Sequence, residues 1–232
     1  MKEVDAWERQ IIDEAAAGDR TALFALADQV RAAAPARRWN TLVVDGGRGQ
    51  LVGEFLLHTL QIGTGFRAEN APGLVTVANS RQIANWGYRR QHRQSARELL
   101  TQEGVTGATL LVTDMVDRGI CMRRLSKYAR SLDLEPDYAV LCTPHTGRKL
   151  RGMIGAPRRA EVYSITSNVE PYLAGDTITQ GMGLYTARGN ARMQPHPHHW
   201  NWLEEPIRDK YHALADEYIH DLLEQQRLEI QG

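Results

Sequence analysis

The sequence predicts an α/β protein: a mainly parallel, twisted sheet flanked by helices, with helical extensions at the N- and C-termini. Three observations carry this expectation. Leu42–Val44, Leu74–Ala78, Leu110–Val112 and Tyr138–Cys142 are apolar runs of strand length, and Glu161–Ile165 alternates as a further strand does. Segments with helical spacing separate these runs, which is the pattern of βαβ units and a parallel sheet. Glycines and aspartates gather directly after the strands at Leu42 and Leu110, where open α/β sheets bind their ligands.

Composition narrows the class. At 232 residues, with 24% charged and 42% hydrophobic residues, the chain is an ordinary globular one, long enough for one large domain or a domain with a helical appendage. The formal net charge is zero, which argues against a surface built throughout for nucleic acid and leaves room only for a local patch. Cys121 and Cys142 have neither metal nor disulfide spacing, so a reducing, cytoplasmic setting is expected. The first ten residues, MKEVDAWERQ, carry no apolar core of a signal peptide. No apolar run reaches the roughly 18 residues of a membrane span, so no membrane partner is expected.

Taken in order, residues 3–34 read as two helices. Trp7, Ile11, Ile12 and Ala15 mark one face, Gly18 breaks the pattern, and Asp19 is placed as N-cap of a second helix with Leu23, Leu26, Ala27 and Val30. Residues 1–36 thus form an N-terminal helical extension, for packing or dimerisation, ahead of an α/β core over 37–190. The first core strand runs into Asp45-Gly46-Gly47-Arg48-Gly49, and Leu51, Val52, Phe55, Leu56 and Leu60 then follow at helical spacing. Glycines at a strand-to-helix turn let backbone N–H groups approach a phosphate, and Arg48 adds charge. A tight turn without a ligand has the same signature. Arg81–Arg97 interleaves five arginines with Trp86 and Tyr88, which suits either a solvated helix face or single-stranded nucleic acid.

The stretch Leu110–Arg124, LLVTDMVDRGICMRR, carries the most chemistry. A buried strand ends on Thr113 and Asp114, a turn holds Asp117, Arg118 and Gly119, and a helix with Met122, Leu125 and Tyr128 inward begins near Cys121. Acidic groups and helix-start N–H groups therefore meet at the carboxyl end of a sheet, where anions are favoured. Beyond Ser167 the chain is glycine-rich and irregular up to Asn190. Residues 191–232 hold a His/Pro loop and a C-terminal helix. His196, His198 and His199 suit a transition metal, but alternating prolines and the lack of completing ligands favour an irregular loop. Glu204–Arg227 is amphipathic through Ile207, Tyr211, Leu214, Tyr218, Leu222 and Leu223, as a core-packing or dimer-forming helix is.

The Leu110–Arg124 stretch resembles the phosphoribosyl pyrophosphate (PRPP) motif of type I phosphoribosyltransferases: four apolar residues, two acids, two apolar residues, then a small-residue loop. Asp114, Asp117 and Gly119 stand where that motif has an acid, the loop aspartate and the glycine. Thr113 replaces the other acid, while Arg118 and Cys121 replace threonines. The resemblance implies the type I phosphoribosyltransferase-like fold and transfer of a 5-phosphoribosyl group between PRPP, or a nucleoside monophosphate, and a small-molecule base, with pyrophosphate as the other product. It implies Asp117 as general base, Asp114 on the ribose hydroxyls and on Mg²⁺, and Arg118, Gly119, Ile120 and Cys121 around the 5-phosphate. Gly46, Gly47, Arg48 and Gly49 correspond to the pyrophosphate loop, and Tyr88, Arg89 and Arg90 to a mobile catalytic loop. The irregular segment after Ser167 takes the place of the base-recognising hood. A homodimer is implied as well. Two other functions fit the residues: a non-catalytic PRPP- or nucleotide-binding regulator on the same fold, and a nucleic-acid-binding α/β protein using Arg81–Arg97.

Overall fold

The computed structural model describes the backbone of residues 6–45, 48–62, 73–77, 97–116, 118–166 and 201–231, and the side chains of 19–44, 49–62, 73–77, 97–116, 118–166 and 208–228. The elements are α1 (Ala6–Arg37), β1 (Thr41–Asp45), α2 (Arg48–Leu60), β2 (Gly73–Val77), β3 (Ala108–Met115), α3 (Ile120–Arg130), β4 (Glu135–Thr143), α4 (Gly147–Ile154), β5 (Val162–Thr166) and α5 (Asn201–Gln231). A helical turn at 97–102 precedes β3. All five strands pair in parallel in the order β2-β1-β3-β4-β5, so the predicted α/β class and parallel sheet are observed.

Side chains alternate across the sheet and feed two cores. On one face Leu42 and Val44, Leu110 and Val112, and Ala139 and Leu141 pack with α1, α2 and α5. On the other, Val43, Leu111, Tyr138 and Val140 pack with α3, α4 and the 97–102 turn. The strand runs read as continuously apolar because both faces are covered. α2 follows β1 on the first face, whereas the 97–102 turn that precedes β3, α3 before β4 and α4 before β5 lie on the second. Right-handed crossovers require this change of face when the direction of strand addition reverses. The reversal falls between β1 and β3, and the carboxyl ends of those two strands bound the crevice where such sheets take ligands.

The N-terminal segment differs from the expected pair of helices. α1 is one continuous helix through Gly18, and it ends where Arg38 enters the left-handed region at φ 50°. Asp19 is not an N-cap. The residue is 3% exposed, and its carboxylate accepts a hydrogen bond from the Tyr211 hydroxyl of α5. A glycine costs a helix interior roughly 0.5–1 kcal/mol. Burying Leu23, Leu26, Ala27 and Val30 far outweighs that, at about 1.5–3 kcal/mol for a fully buried leucine or valine.

α1 and α5 are joined again where Tyr218 donates to Asp28 Oδ1 at 2.6 Å, and Phe24, Phe55 and Tyr218 stack in the same layer. The terminal helices therefore form, with α2, one of the two layers that cover the sheet. At the opposite edge Trp39 Nε1 donates to Asp137 Oδ2 at 2.9 Å, and the Glu161 N–H donates to Asp137 Oδ1 at 2.6 Å. Tyr163 stacks edge-on against Trp39, and burial, aided by nearby Asp137, pushes its phenol up to about 12.

α2 rests unusually close to the sheet at Gly53, where a Cβ would lie 2.2 Å from Val44 Cγ1 and 2.9 Å from Leu74 Cδ1. Val44 is fully buried and stiff about χ1, so it has no room to yield. Gly53→Val is expected to lose about 3 kcal/mol, the upper part of the range for overpacked cores. Urea unfolding measures this, and an unchanged midpoint would contradict the contact.

Candidate functional site

The β3 ladder carries the site. Leu110 and Val112 point to the first core, and Asp114 has their parity, on the side of the sheet that α2 covers. The residue is 8% exposed, and its carboxylate accepts a hydrogen bond from Thr113 Oγ1 at 3.3 Å. The first turn of α2 comes up against the same place. A Cβ on Gly49 would stand 3.6 Å from Thr113 Cα, 3.7 Å from Asp114 N and 3.7 Å from Val112 O. Those are ordinary contact distances, so Gly49 marks proximity and not a steric need for glycine. The two sequence motifs, 69 residues apart at Asp45 and Asp114 after neighbouring strands, thus meet at one end of one strand pair.

Beyond Asp114 the chain is held by β4. Val116 N–H donates to Cys142 O at 3.0 Å, and Thr143 Oγ1 donates back to Val116 O at 3.0 Å. The His145 N–H in turn donates to Thr143 Oγ1 at 3.2 Å. Thr143 is fully buried and ties the β3–α3 turn to the β4–α4 turn. Sequence reasoning did not single out Thr143 or His145. The available signal was Thr-Pro-His-Thr-Gly directly after the apolar β4 run, a third strand-to-helix turn at the same edge.

Gly119 is the pivot into α3. It has φ 66°, and a Cβ there would approach Met153 O to 2.6 Å, so both backbone conformation and space demand glycine. No side chain caps α3 at Gly119, and the helix has no acid in its first turn. Arg118 is exposed and Ile120, the first helical residue, is 51% exposed, whereas Cys121 is only 9% exposed and turned toward the core with Met122. Arg123 locks α3 to α4: its Nε donates to Met153 O at 2.8 Å and Nη2 to Gly152 O at 3.2 Å. Beneath them Ser126 Oγ donates to Gly155 O at 3.1 Å and shares a 2.7 Å hydrogen bond with the Tyr138 hydroxyl. Burial raises the Tyr138 phenol, and the Ser126 bond opposes this only partly.

Arg48 is the first residue of α2, but its side chain is not among those described. Gly46, Gly47, Asp117, Tyr88, Arg89, Arg90, the segment after Ser167 and the His196–His199 loop lie outside the described residues. Among the described residues no three His, Cys, Asp or Glu side chains gather into a metal-holding group. Among them, too, no helix is long and apolar enough to cross a membrane.

Comparison with protein-family models, with curated proteins and with solved structures finds no match for the chain.

The Gly119 pivot has a measurable consequence. Gly119→Ala forces a left-handed backbone on a side chain and drives its Cβ into the Met153 carbonyl, a strain of about 1–3 kcal/mol. Thermal unfolding is expected at a lower temperature, with hydrogen exchange rising first in 114–121. A variant as stable as the wild type would show that the pivot is not constrained.

Proposed function

We propose that the chain is a phosphoribosyltransferase of the type I fold, moving a 5-phosphoribosyl group between PRPP and a nitrogen heterocycle. The observation that supports this most is the approach of Gly49 to the Thr113–Asp114 backbone at the β1/β3 reversal. It brings the glycine-rich turn and the PRPP-like turn to the crevice in which a ligand with two phosphate ends is held between two loops.

In this reading the nitrogen nucleophile attacks C1 of the ribose, the C1–oxygen bond to pyrophosphate breaks, and the leaving oxygen takes the electron pair. Asp117 accepts the proton from the nucleophile, a contribution typically worth about 10²–10⁴-fold. Asp114, held at the end of β3, accepts hydrogen bonds from the ribose hydroxyls and adds negative charge beside the developing oxocarbenium. The N–H groups from Gly119 into α3, with Arg118, take the 5-phosphate, and the arginine substitutes a charge-assisted contact for a threonine hydroxyl. Gly46–Gly49 and Arg48 take the diphosphate, and Tyr88, Arg89 and Arg90 close over it. Mg²⁺ seldom takes an all-protein cage and commonly uses one or two carboxylates plus substrate phosphates, so Asp114 alone is a fitting protein ligand. When bound, the ion neutralises charge on the leaving pyrophosphate. A homodimer in the cytoplasm belongs to the same proposal. Its interface would draw on surfaces other than the inward faces of α1 and α5, which are used within the chain.

One observation favours a second reading, a PRPP- or nucleotide-binding regulator. Thr113 supplies a hydroxyl bonded to Asp114 where the family has a second acid, and Cys121 is buried. Binding groups survive these changes better than catalytic charge does. Release of pyrophosphate with a base separates the two.

Titration calorimetry tests the site itself. Wild type is expected to bind PRPP saturably and more tightly with Mg²⁺, and Asp114→Ala to weaken binding at least tenfold, about 1.4 kcal/mol. Failure of the wild type to bind PRPP, ribose-5-phosphate or any nucleoside monophosphate would overturn both readings.

A further inference from the structure

The neutral net charge conceals a separation of charge between the two helix layers. Residues 118–160 carry ten Lys and Arg against three Asp and Glu, and one of those acids, Asp137, is 6% exposed and committed to Trp39 and Glu161. In α5, on the other side of the sheet, the ratio inverts to eight acids and three bases. The exposed stripe of α3 is basic along its length, through Arg123, Lys127 and Arg130, with Arg124 beside it. α4 adds Arg148 and Lys149, and the turn that follows adds Arg158 and Arg159, all four exposed. The α3 cations border the end of α4: a Cβ on Gly155 would lie 3.3 Å from Arg123 Cγ and 3.8 Å from Arg130 Nη2.

This arrangement works against folding. Arg123 with Lys127, and Lys127 with Arg130, are like charges at helical neighbour spacings, which repel. Arg123 and Arg124 in α3, and Arg148 and Lys149 in α4, stand in or next to first turns that hold no acid, at the positive end of the helix dipole. Among the described residues none of these eight cations is ion-paired with a carboxylate, whereas Arg20, Arg37 and Arg208 are.

We propose that the α3–α4 face docks the phosphate backbone of a nucleic-acid duplex, without reading its sequence. Charge complementarity selects a polyanion. A membrane surface is disfavoured because the apolar side of α3 is spent in the core, which leaves Ile120 as the one large apolar side chain exposed on these helices among the described residues. A single strand is disfavoured because Tyr128 and Tyr138 are buried, so the described part of this face offers no ring for bases to stack on. A zero net charge argues only against a surface built throughout for nucleic acid, and a local face of this kind is compatible with it. The proposal does not depend on the phosphoribosyl reading.

Fluorescence anisotropy with a labelled 20-base-pair duplex, as RNA and as DNA, tests it on the full chain. Binding in the range of roughly 10⁻⁶–10⁻⁴ M is expected near physiological salt, with log affinity falling against log salt at a slope of about 3 or more, as about four phosphate contacts imply. Lys127→Glu combined with Arg158→Glu and Arg159→Glu should weaken binding at least tenfold and flatten the slope, while Lys210→Glu in α5 should change neither. Circular dichroism confirms that each variant folds, and retained PRPP binding would show that the triple variant leaves the proposed phosphoribosyl site intact. Absence of duplex binding at 50 mM salt, or binding indifferent to the triple variant, overturns the proposal. So does equal affinity for phosphatidylserine-containing vesicles that compete with the duplex, which would assign the face to a membrane.

Discussion

The seating of α2 on the sheet is the contact on which the rest of the site depends. At Gly53 the helix has no side chain between its backbone and Val44, and one turn earlier Gly49 reaches the backbone of Thr113 and Asp114. Helix and strand are thereby locked at a separation that a single methyl group would disturb. The pairing of β1 with β3 puts the two motifs at one edge of the sheet, and the seating of α2 sets how closely its first turn approaches Asp114.

A second lock acts from the other side. Gly119 fits against the Met153 carbonyl, Arg123 binds the last carbonyls of α4, and Thr143 holds Val116 to β4. The β3–α3 turn is thus fixed by three neighbours, none of which belongs to its own strand or helix. Rigid surroundings of this kind suit a turn that must present N–H groups to an anion without reorganising. The two layers of helices also divide the chain's charge, acidic with α5 and basic with α3 and α4, so the fold that builds the crevice also gives the molecule two different outer faces.

Much of this was legible in the residues. The strand runs from Leu42, Leu74, Leu110 and Tyr138 were visible because parallel strands buried on both faces read as unbroken apolar stretches. Gly119 was visible because a glycine between acids and a helical pattern has few other uses. The extent of α1 was not: Gly18 and Asp19 together imitate a helix break and cap, and only the contact of Asp19 with Tyr211, 192 residues away, identifies the aspartate as a core partner. Gly53 carries no local signal, since its reason lies on β1 and β2. The strand order, and with it the meeting of the two motifs, is a tertiary fact that local spacing does not encode. The basic face was hidden for a different reason: its residues are spread over three segments, and acids elsewhere cancel them in the total.

The most direct test of the central claim is a titration of ¹⁵N-labelled protein with PRPP, read as amide shift changes across the chain. Gly49 and the amides of 113–121 are expected to move together and saturate at one ligand concentration, with Thr143 and His145 following through their hydrogen bonds. Shifts confined to one of the two turns, or centred on a different surface, would contradict a single site at the β1/β3 reversal.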